Sequence, residues 1–531
     1  MEQSFEVCPY SIDEFKRILV KHSKASPYLV EQKLHIEYFE QYFQDIGAQT
    51  LLIEHHYIDR DFLEDFAAYY ARCFPSYSRQ CVRIHLFNNT FVADEFEQLL
   101  AHPNDSSLTE KLLRQHYLGF VVVKPLPQTV IGRTCVATYL DDSNRRHFPI
   151  TRRYTVNLFG LSLEVKTLAF QEQDQVTAAC ATSALWTVFQ GTGMQFQHAI
   201  PSPVEITKRA FSSFPIATRA LPNVDGLTPE MMAQAIRDVG LEPVLVSLGN
   251  SLEQVHAHQS HVYAYLRCGI PLVLGFGLLT VSMGSNNAPT GVELRGNHAV
   301  AVTGYSLGHS NPVPYSQLGF LLKASRINKL YVHDDQVGPF ARMEFDKVQI
   351  LYQTALYNSM STSWGGGTCK AVPNLLLIPL YHKIRIPFQL VHDAVFRFDH
   401  SFIEQLRSQG KLPSVSQRLE WDIYLTTINV LKDDVFADTL LNEKQRLEIL
   451  LRSLPRFLWR ATAFVGNTKA LDLLFDATDV AQGQFFVQAI EYNDEVSTVL
   501  REASKEPSLA QTFQTEAEGK IIEWFRDQPI S

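Results

Sequence analysis

The chain has 531 residues, 46% of them hydrophobic and 19% charged, with 47 basic residues against 56 acidic ones for a net charge of −9. That length predicts more than one domain, and that composition a well-packed protein with little disorder. No basic domain or stripe stands out, so nucleic acid is not an expected partner; small molecules and proteins are.

Seven cysteines, Cys8, Cys73, Cys81, Cys135, Cys180, Cys268 and Cys369, are scattered with no CxxC pair. This argues against a disulfide framework and a Cys-rich zinc site, and fits a reducing compartment. The first residues, MEQSFEVCPYSIDEF, are acidic and polar where a signal peptide would be basic and then apolar. No apolar run reaches the roughly 18 residues a membrane-spanning helix needs. A cytoplasmic protein with no membrane partner is expected.

In chain order, the first 150 residues mix helical patterns, such as Asp59 to Phe74, with strand-like runs, such as Leu118 to Pro127. A polar stretch from Tyr139 to Arg153 reads as a linker or long loop and sets a boundary near 150. Arg153 to Phe170 alternates around Phe159-Gly160, the pattern of a β-hairpin. In ACATSALWTVFQGTG, Ala181, Ala184, Leu185 and Val188 fall on one helical face, with Gly191 as the expected stop, so Cys180 opens a buried helix. Thr228, Pro229 and Gly240 then mark the cap, first turn and end of a second helix, followed by a strand from Glu242 to Leu248. Further strands are expected after Cys268-Gly269, from His298 to Tyr305 and from Lys329 to His333. Beyond the Gly-rich stretch Met360 to Asn374, LYHKIRIPFQLV (Leu380 to Val391) reads as strand and Glu443 to Phe464 as helical, in a separate C-terminal α+β domain.

A thiol attacks as thiolate, a form favoured by a helix N-terminus and by a neighbouring imidazolium. Cys180 meets the first condition; its ordinary alternative is a small core residue beside Ala178, Ala179 and Ala181. A catalytic partner for it would be a histidine presented from a strand, with a third group on the next strand to fix its tautomer. His298 opens the apolar strand of RGNHAVAVTGY, and the following strand ends at Asp334-Asp335. Only one of that pair can face His298, since side chains alternate along a strand. An oxyanion donor should precede the cysteine, and Gln171, Gln173 and Gln175 are available.

The order Gln, Cys-helix, His-strand, Asp resembles the papain-like cysteine peptidases, and NHAVAVTGY resembles the segment around their catalytic histidine. The succession GLTPEMMAQAIRDVGLEPVLV, LRCGIPLVLGF, HAVAVTGY, LYVHDDQVGPF is closest in pattern to the bacteriocin-leader-processing (double-glycine) branch. The resemblance covers roughly residues 150 to 375. It implies Cys180 as nucleophile, His298 as base and acid, Asp334 as orienting carboxylate with Asp335 the alternative, and Gln173, or else Gln175, in the oxyanion hole. The sequence departs from the family in having Asp174 at the usual glutamine position, Ala181 where many relatives have glycine, and a long insertion between His298 and Asp334. STSWGGG resembles the Asn-Ser-Trp-Gly of papain-like enzymes, but Thr362 in the Asn position cannot orient a histidine.

The fold expected is therefore α+β: a papain-like core over 151–372, a buried Cys-bearing helix against an antiparallel sheet, between flanking α+β domains at 1–150 and 373–531. The activity expected is that of a cysteine peptidase acting on a peptide or protein, with deamidase or transglutaminase-like chemistry, or an idle scaffold, as alternatives. The flanking domains leave room for a regulatory protein partner or for occlusion of the cleft. No cofactor or metal is expected: GVELRGNHAV lacks the Lys-Ser/Thr of a P-loop, HExxH and GxSxG are absent, and His55-His56 with Asp59, or His333 with Asp334 and Asp335, read as polar clusters.

Overall fold

The computed structural model describes residues 4–528, apart from 105, 175, 213–218, 224, 250–251, 284–288, 309–310, 316–318, 365–367, 412–417, 481–483 and 507–515. Helices and mostly antiparallel sheets share the chain, a mixed α+β architecture. They fall into two compact units, one made of residues 1–248, 271–306 and 329–379, the other of 249–270, 307–328 and 380–531. Residues on both sides of position 150 belong to the first. Among the described residues no helix is long and apolar enough to cross a membrane.

The first unit begins with a five-stranded antiparallel meander, in chain order Phe5–Pro9, Thr50–Tyr57, Cys81–Phe87, Tyr117–Val123 and Ile131–Val136. The third and fourth strands are buried along their whole length, which is why GFVVV is an unbroken apolar run. Gly119, at φ +121°, lets the last two strands close up, because a Cβ there would lie 2.0 Å from the carbonyl oxygen of Cys135. Thr134 and Phe170 exchange backbone hydrogen bonds of 2.7 and 2.9 Å. The Glu172 carboxylate accepts from the N–H groups of Val130 and Ile131 at 2.9 Å each. The segment that leads into Cys180 is thereby pinned to the meander, and one apolar cluster runs from Leu52 and Phe120 to Trp186 and Leu377.

The predicted hairpin forms between Arg152–Leu158 and Leu161–Thr167, turning on Phe159 and Gly160, both at positive φ (48° and 94°) as a tight two-residue turn requires. Cys180–Phe196 is one helix, buried on all sides from Ala181 to Gly193, and packs on the helices Pro203–Phe211 and Pro229–Asp238 and on the strand Leu272–Met283. Gly191 does not end it. The helix runs on to a left-handed Gln197, and a Cβ on Gly191 would meet Ile150 Cγ2 at 2.9 Å and Pro271 Cγ at 3.1 Å, so this glycine serves close packing. Thr228 caps the Pro229–Asp238 helix, Gly240 (φ +86°) follows it, and the strand Leu241–Ser247 comes next.

Strands Leu272–Met283, Pro289–Leu307, Ile327–Asp334, Gly338–Phe345, Met360–Ser361 and Cys369–Tyr381 pair in that order. The first also pairs with the last, from Val273↔Leu377 to Thr280↔Cys369, so the sheet closes on itself. An N-terminal helix, Leu34–Asp45, holds the turn that follows Asp334. His35 Nε2 donates to the Asp335 carbonyl at 2.9 Å, Tyr38 Oη donates to Pro339 O at 2.5 Å, and Arg342 pairs with Asp45 at 3.0 Å.

The second unit holds a sheet of Pro314–Tyr315, Phe320–Leu322, Glu420–Thr427, Phe457–Val465, Thr468–Asp476 and Phe486–Glu491, antiparallel except between the second and third strands. Its buried Arg460 is held by Asp472 at 2.8 Å and Asp434 at 2.7 Å, the pairing a buried guanidinium needs. Two expectations are corrected in this unit. Leu380 to Val391 is not a strand: the chain leaves its sheet at Tyr381, and Pro387 precedes a helix over Phe388–Arg397. Glu443 to Phe464 is helical only to Leu451; Pro455 breaks the pattern and Phe457–Val465 is a strand.

A chain beginning at residue 151 lacks the meander, the Thr134–Phe170 bridge and the His35–Asp335 hydrogen bond. It is expected to lose the cooperative melting of the full chain and to aggregate. Soluble yield and a far-UV circular dichroism melt check this, and a fragment that melts like the full chain would refute it.

Candidate active site

Cys180 is the first residue of its helix, half-buried, and all seven cysteines are free thiols. Ala179 takes the cap position in extended conformation (φ −100°, ψ 179°) and offers no side chain to the first turn. The first N–H groups of a helix have no intrahelical acceptor, so those beside the sulfur point at whatever binds there.

His298 lies on the Pro289–Leu307 strand opposite Phe276, and its ring sits edge-to-face between Phe276 and Trp364, with centroids 5.4 and 5.3 Å away. Its Nε2 donates to Asp334 Oδ1 at 3.0 Å. Cys180 is the other side chain that acts on this imidazole; with Nε2 committed to the carboxylate, Nδ1 is the nitrogen left for the thiol. Burial alone would push the imidazole pKa down. The charge and hydrogen bond of Asp334, then the Cys180 contact and the charge of Asp335, reverse this and hold it well above the usual value. Cys180 and His298 together line a cavity of about 390 Å³ whose other walls include Leu227, Met232, Phe276 and Leu375.

The two aspartates differ. Asp334 is within hydrogen-bond reach of His298; Asp335 Oδ1, at 3.7 Å from the same nitrogen, is not. Burial works to raise the Asp334 pKa, but the imidazolium, the Trp364 Nε1–H on Oδ2 at 2.7 Å and the Gln336 N–H on Oδ1 at 3.1 Å bring it below its ordinary value. Asp335 takes the Gln336 side-chain amide on Oδ2 at 3.0 Å, and its Oδ1 has no hydrogen-bond partner among the described residues. Burial pushes this carboxyl up to about 7, against the charge of His298 and with that of Asp334. His298, Asp334 and Asp335 bring one potential ligand atom each within 4.8 Å of the others, the one such group among the described residues. A cation there would have to displace the His298, Trp364 and Gln336 hydrogen bonds on Asp334. His333 faces away from this group, against Phe340 and Phe170.

Gln173 is half-buried and does not line the cavity of Cys180 and His298. Gln175 lies outside the described residues. Asp174, the residue at the spacing where papain-like enzymes carry glutamine, is buried and accepts from Tyr70 Oη at 2.7 and 2.9 Å, so it holds the N-terminal segment. Trp364 is the residue whose place at the site the sequence left unread. It belongs to STSWGGG, of which Gly365 to Gly367 lie outside the described residues, and its hydrogen bond to Asp334 and edge-to-face contact with His298 tie it to the site. Thr362 donates instead to the Cys369 carbonyl at 2.9 Å, away from His298.

No protein-family model matches this chain, and no curated protein matches it.

A carboxyl whose pKa is higher folded than unfolded binds more protons in the folded state, so its contribution to stability falls as pH rises from about 4 to about 7 and stays low above. Asp335→Asn removes that penalty. Its melting temperature is expected to exceed the wild type's by several degrees at pH 8 and to match it at pH 4, measured by calorimetry; a difference independent of pH would contradict the buried-carboxyl assignment.

Proposed function

We propose that the protein is a cysteine peptidase with a papain-like core, acting on a peptide or protein through Cys180, His298 and Asp334. One observation carries this reading: the thiol at a helix N-terminus and the imidazole paired with a buried carboxylate line the same cavity. The antiparallel sheet against which the Cys180 helix packs supports the same reading.

Attack of the Cys180 sulfur on a carbonyl carbon, with the thiol proton held by His298, gives a tetrahedral oxyanion. The uncapped first turn of the helix supplies N–H donors for it, the Cys180 N–H first. Collapse breaks the C–N bond, the imidazolium passes its proton to the departing amine, and a thioester remains. Water activated by His298 then hydrolyses the thioester and restores the thiol. Asp334 fixes the ring so that Nδ1 faces the sulfur, and Trp364 fixes Asp334. Gln173 as an oxyanion donor is not part of this reading, since it does not reach the cavity.

Labelling by a thiol-directed peptidyl electrophile is expected to vanish in Cys180→Ala. It is expected to slow by roughly 10²–10⁴-fold in His298→Ala and, through loss of the tautomer, by a large factor in Asp334→Asn. Peptide mass mapping and the labelling rate check this; equal labelling of Cys180→Ser would sink the proposal. New protein termini in cells expressing wild type, absent with Cys180→Ala, would identify the substrates.

A further inference from the structure

Two cavities meet the His298 ring through its two aromatic neighbours. Phe276 lines the one that contains Cys180; Trp364 lines a second, of about 440 Å³, together with Lys33, Glu172, Arg295 and Gln336. Their chemistry differs. The first is walled by Leu227, Met232, Ala299 and Leu375, the second by charged and amide groups.

Most charge in the second cavity is already matched. Lys33 Nζ is 2.5 Å from Glu172 Oε1 and donates to Gln128 O at 2.6 Å, and Glu172 Oε2 takes two backbone N–H groups. His35, which also lines it, has its pKa lowered by burial and donates to a carbonyl. Arg295 is different. It is exposed, no carboxylate pairs with it among the described residues, and its contacts are a 3.9 Å approach to Cys369 Sγ and a guanidinium 5.3 Å from the Trp364 ring centre. The strand register explains how it comes to be there. Leu278 pairs with Gly296 and Leu279 with Leu294, so Arg295 is the extra residue of a β-bulge three positions before His298. Bulges re-aim a side chain, and here the re-aimed side chain is a guanidinium that no described carboxylate pairs, beside the aromatic that orients Asp334.

We propose that Arg295 and the cavity under Trp364 bind a carboxylate carried by the leaving portion of the substrate, either a free C-terminus or an acidic side chain just past the scissile bond. This rests on the peptidase reading above. The acyl portion stays bonded to Cys180 and so belongs in the cavity that Cys180 lines. The leaving amine takes its proton from His298 and departs past the ring, where Trp364 and Arg295 follow. A guanidinium that no carboxylate pairs among the described residues suits a planar carboxylate, which it can grip with two parallel hydrogen bonds.

The test uses the full chain and peptides with one acyl sequence and three leaving dipeptides: Ala-Ala with a free carboxylate, Ala-Ala amide and Asp-Ala amide. The wild type is expected to prefer the carboxylate-bearing peptides by about tenfold or more in kcat/KM. Arg295→Ala should bring that ratio close to one, and Arg295→Lys should keep part of it. Preference for the first peptide alone identifies a free C-terminus as the ligand, and preference for the third an acidic side chain. Equal rates in the wild type, or a preference that survives Arg295→Ala, overturns the proposal. If no peptide is cleaved, the peptidase reading fails, and calorimetric titration of Cys180→Ala with Ala-Asp against its diamide decides the site by itself. Binding of Ala-Asp that weakens tenfold or more on adding Arg295→Ala supports a carboxylate site; no binding, or binding indifferent to Arg295, refutes it.

Discussion

A buried imidazole holds a proton only if something replaces the water it has lost, and removing an unpaired charge from water costs several kcal/mol. At His298 the replacement is Asp334, 3.0 Å from Nε2. Asp334 in turn stays ionised because His298 itself, then the Trp364 and Gln336 donors, favour its charged form. The arrangement is directional: each donor fixes the next group, and the last group fixed is the His298 ring. Asp335 shows what the same burial does with fewer donors. Its Oδ1 is left without a hydrogen bond, and burial raises its pKa.

Much of this was legible from residue order, for a physical reason. Cys180 opens an apolar helix and Asp334 ends a strand stopped by a polar turn, while His298 precedes an apolar run; the strand that holds His298 starts earlier than that run suggests, at Pro289, so the histidine lies in its middle. The choice between Asp334 and Asp335 was not legible, because alternation tells that one faces inward without telling which. Nor was Trp364, since its role depends on a hydrogen bond across 30 residues of chain. Gly191 misled because a glycine that permits close packing and a glycine that ends a helix look alike in sequence. The helical reading of Glu443 to Phe464 failed where a helix passes into a buried strand, whose unbroken apolar run also satisfies a helical template.

The N-terminal residues are part of the same unit as the site. The Leu34–Asp45 helix fixes the turn after Asp334 through His35 and Tyr38, and Asp174 and Glu172, just before Cys180, are anchored on Tyr70 and on the meander. These contacts make the first 150 residues a support for both ends of the Cys180–Asp334 constellation. Among the described residues, none that lines the Cys180 cavity precedes Cys180.

The closed sheet also orders events in time. Leu272–Met283, which carries the partner of His298, pairs with Cys369–Tyr381, and His35 waits for Asp335 across 300 residues. During synthesis the Cys180 helix leaves the ribosome long before either pairing exists. The thiol therefore spends that interval without its imidazole arrangement, and a nascent chain has no assembled triad until the strand ending at Tyr381 has emerged. Such late, long-range closure favours slow folding and keeps the nucleophile unassembled while the chain is still incomplete.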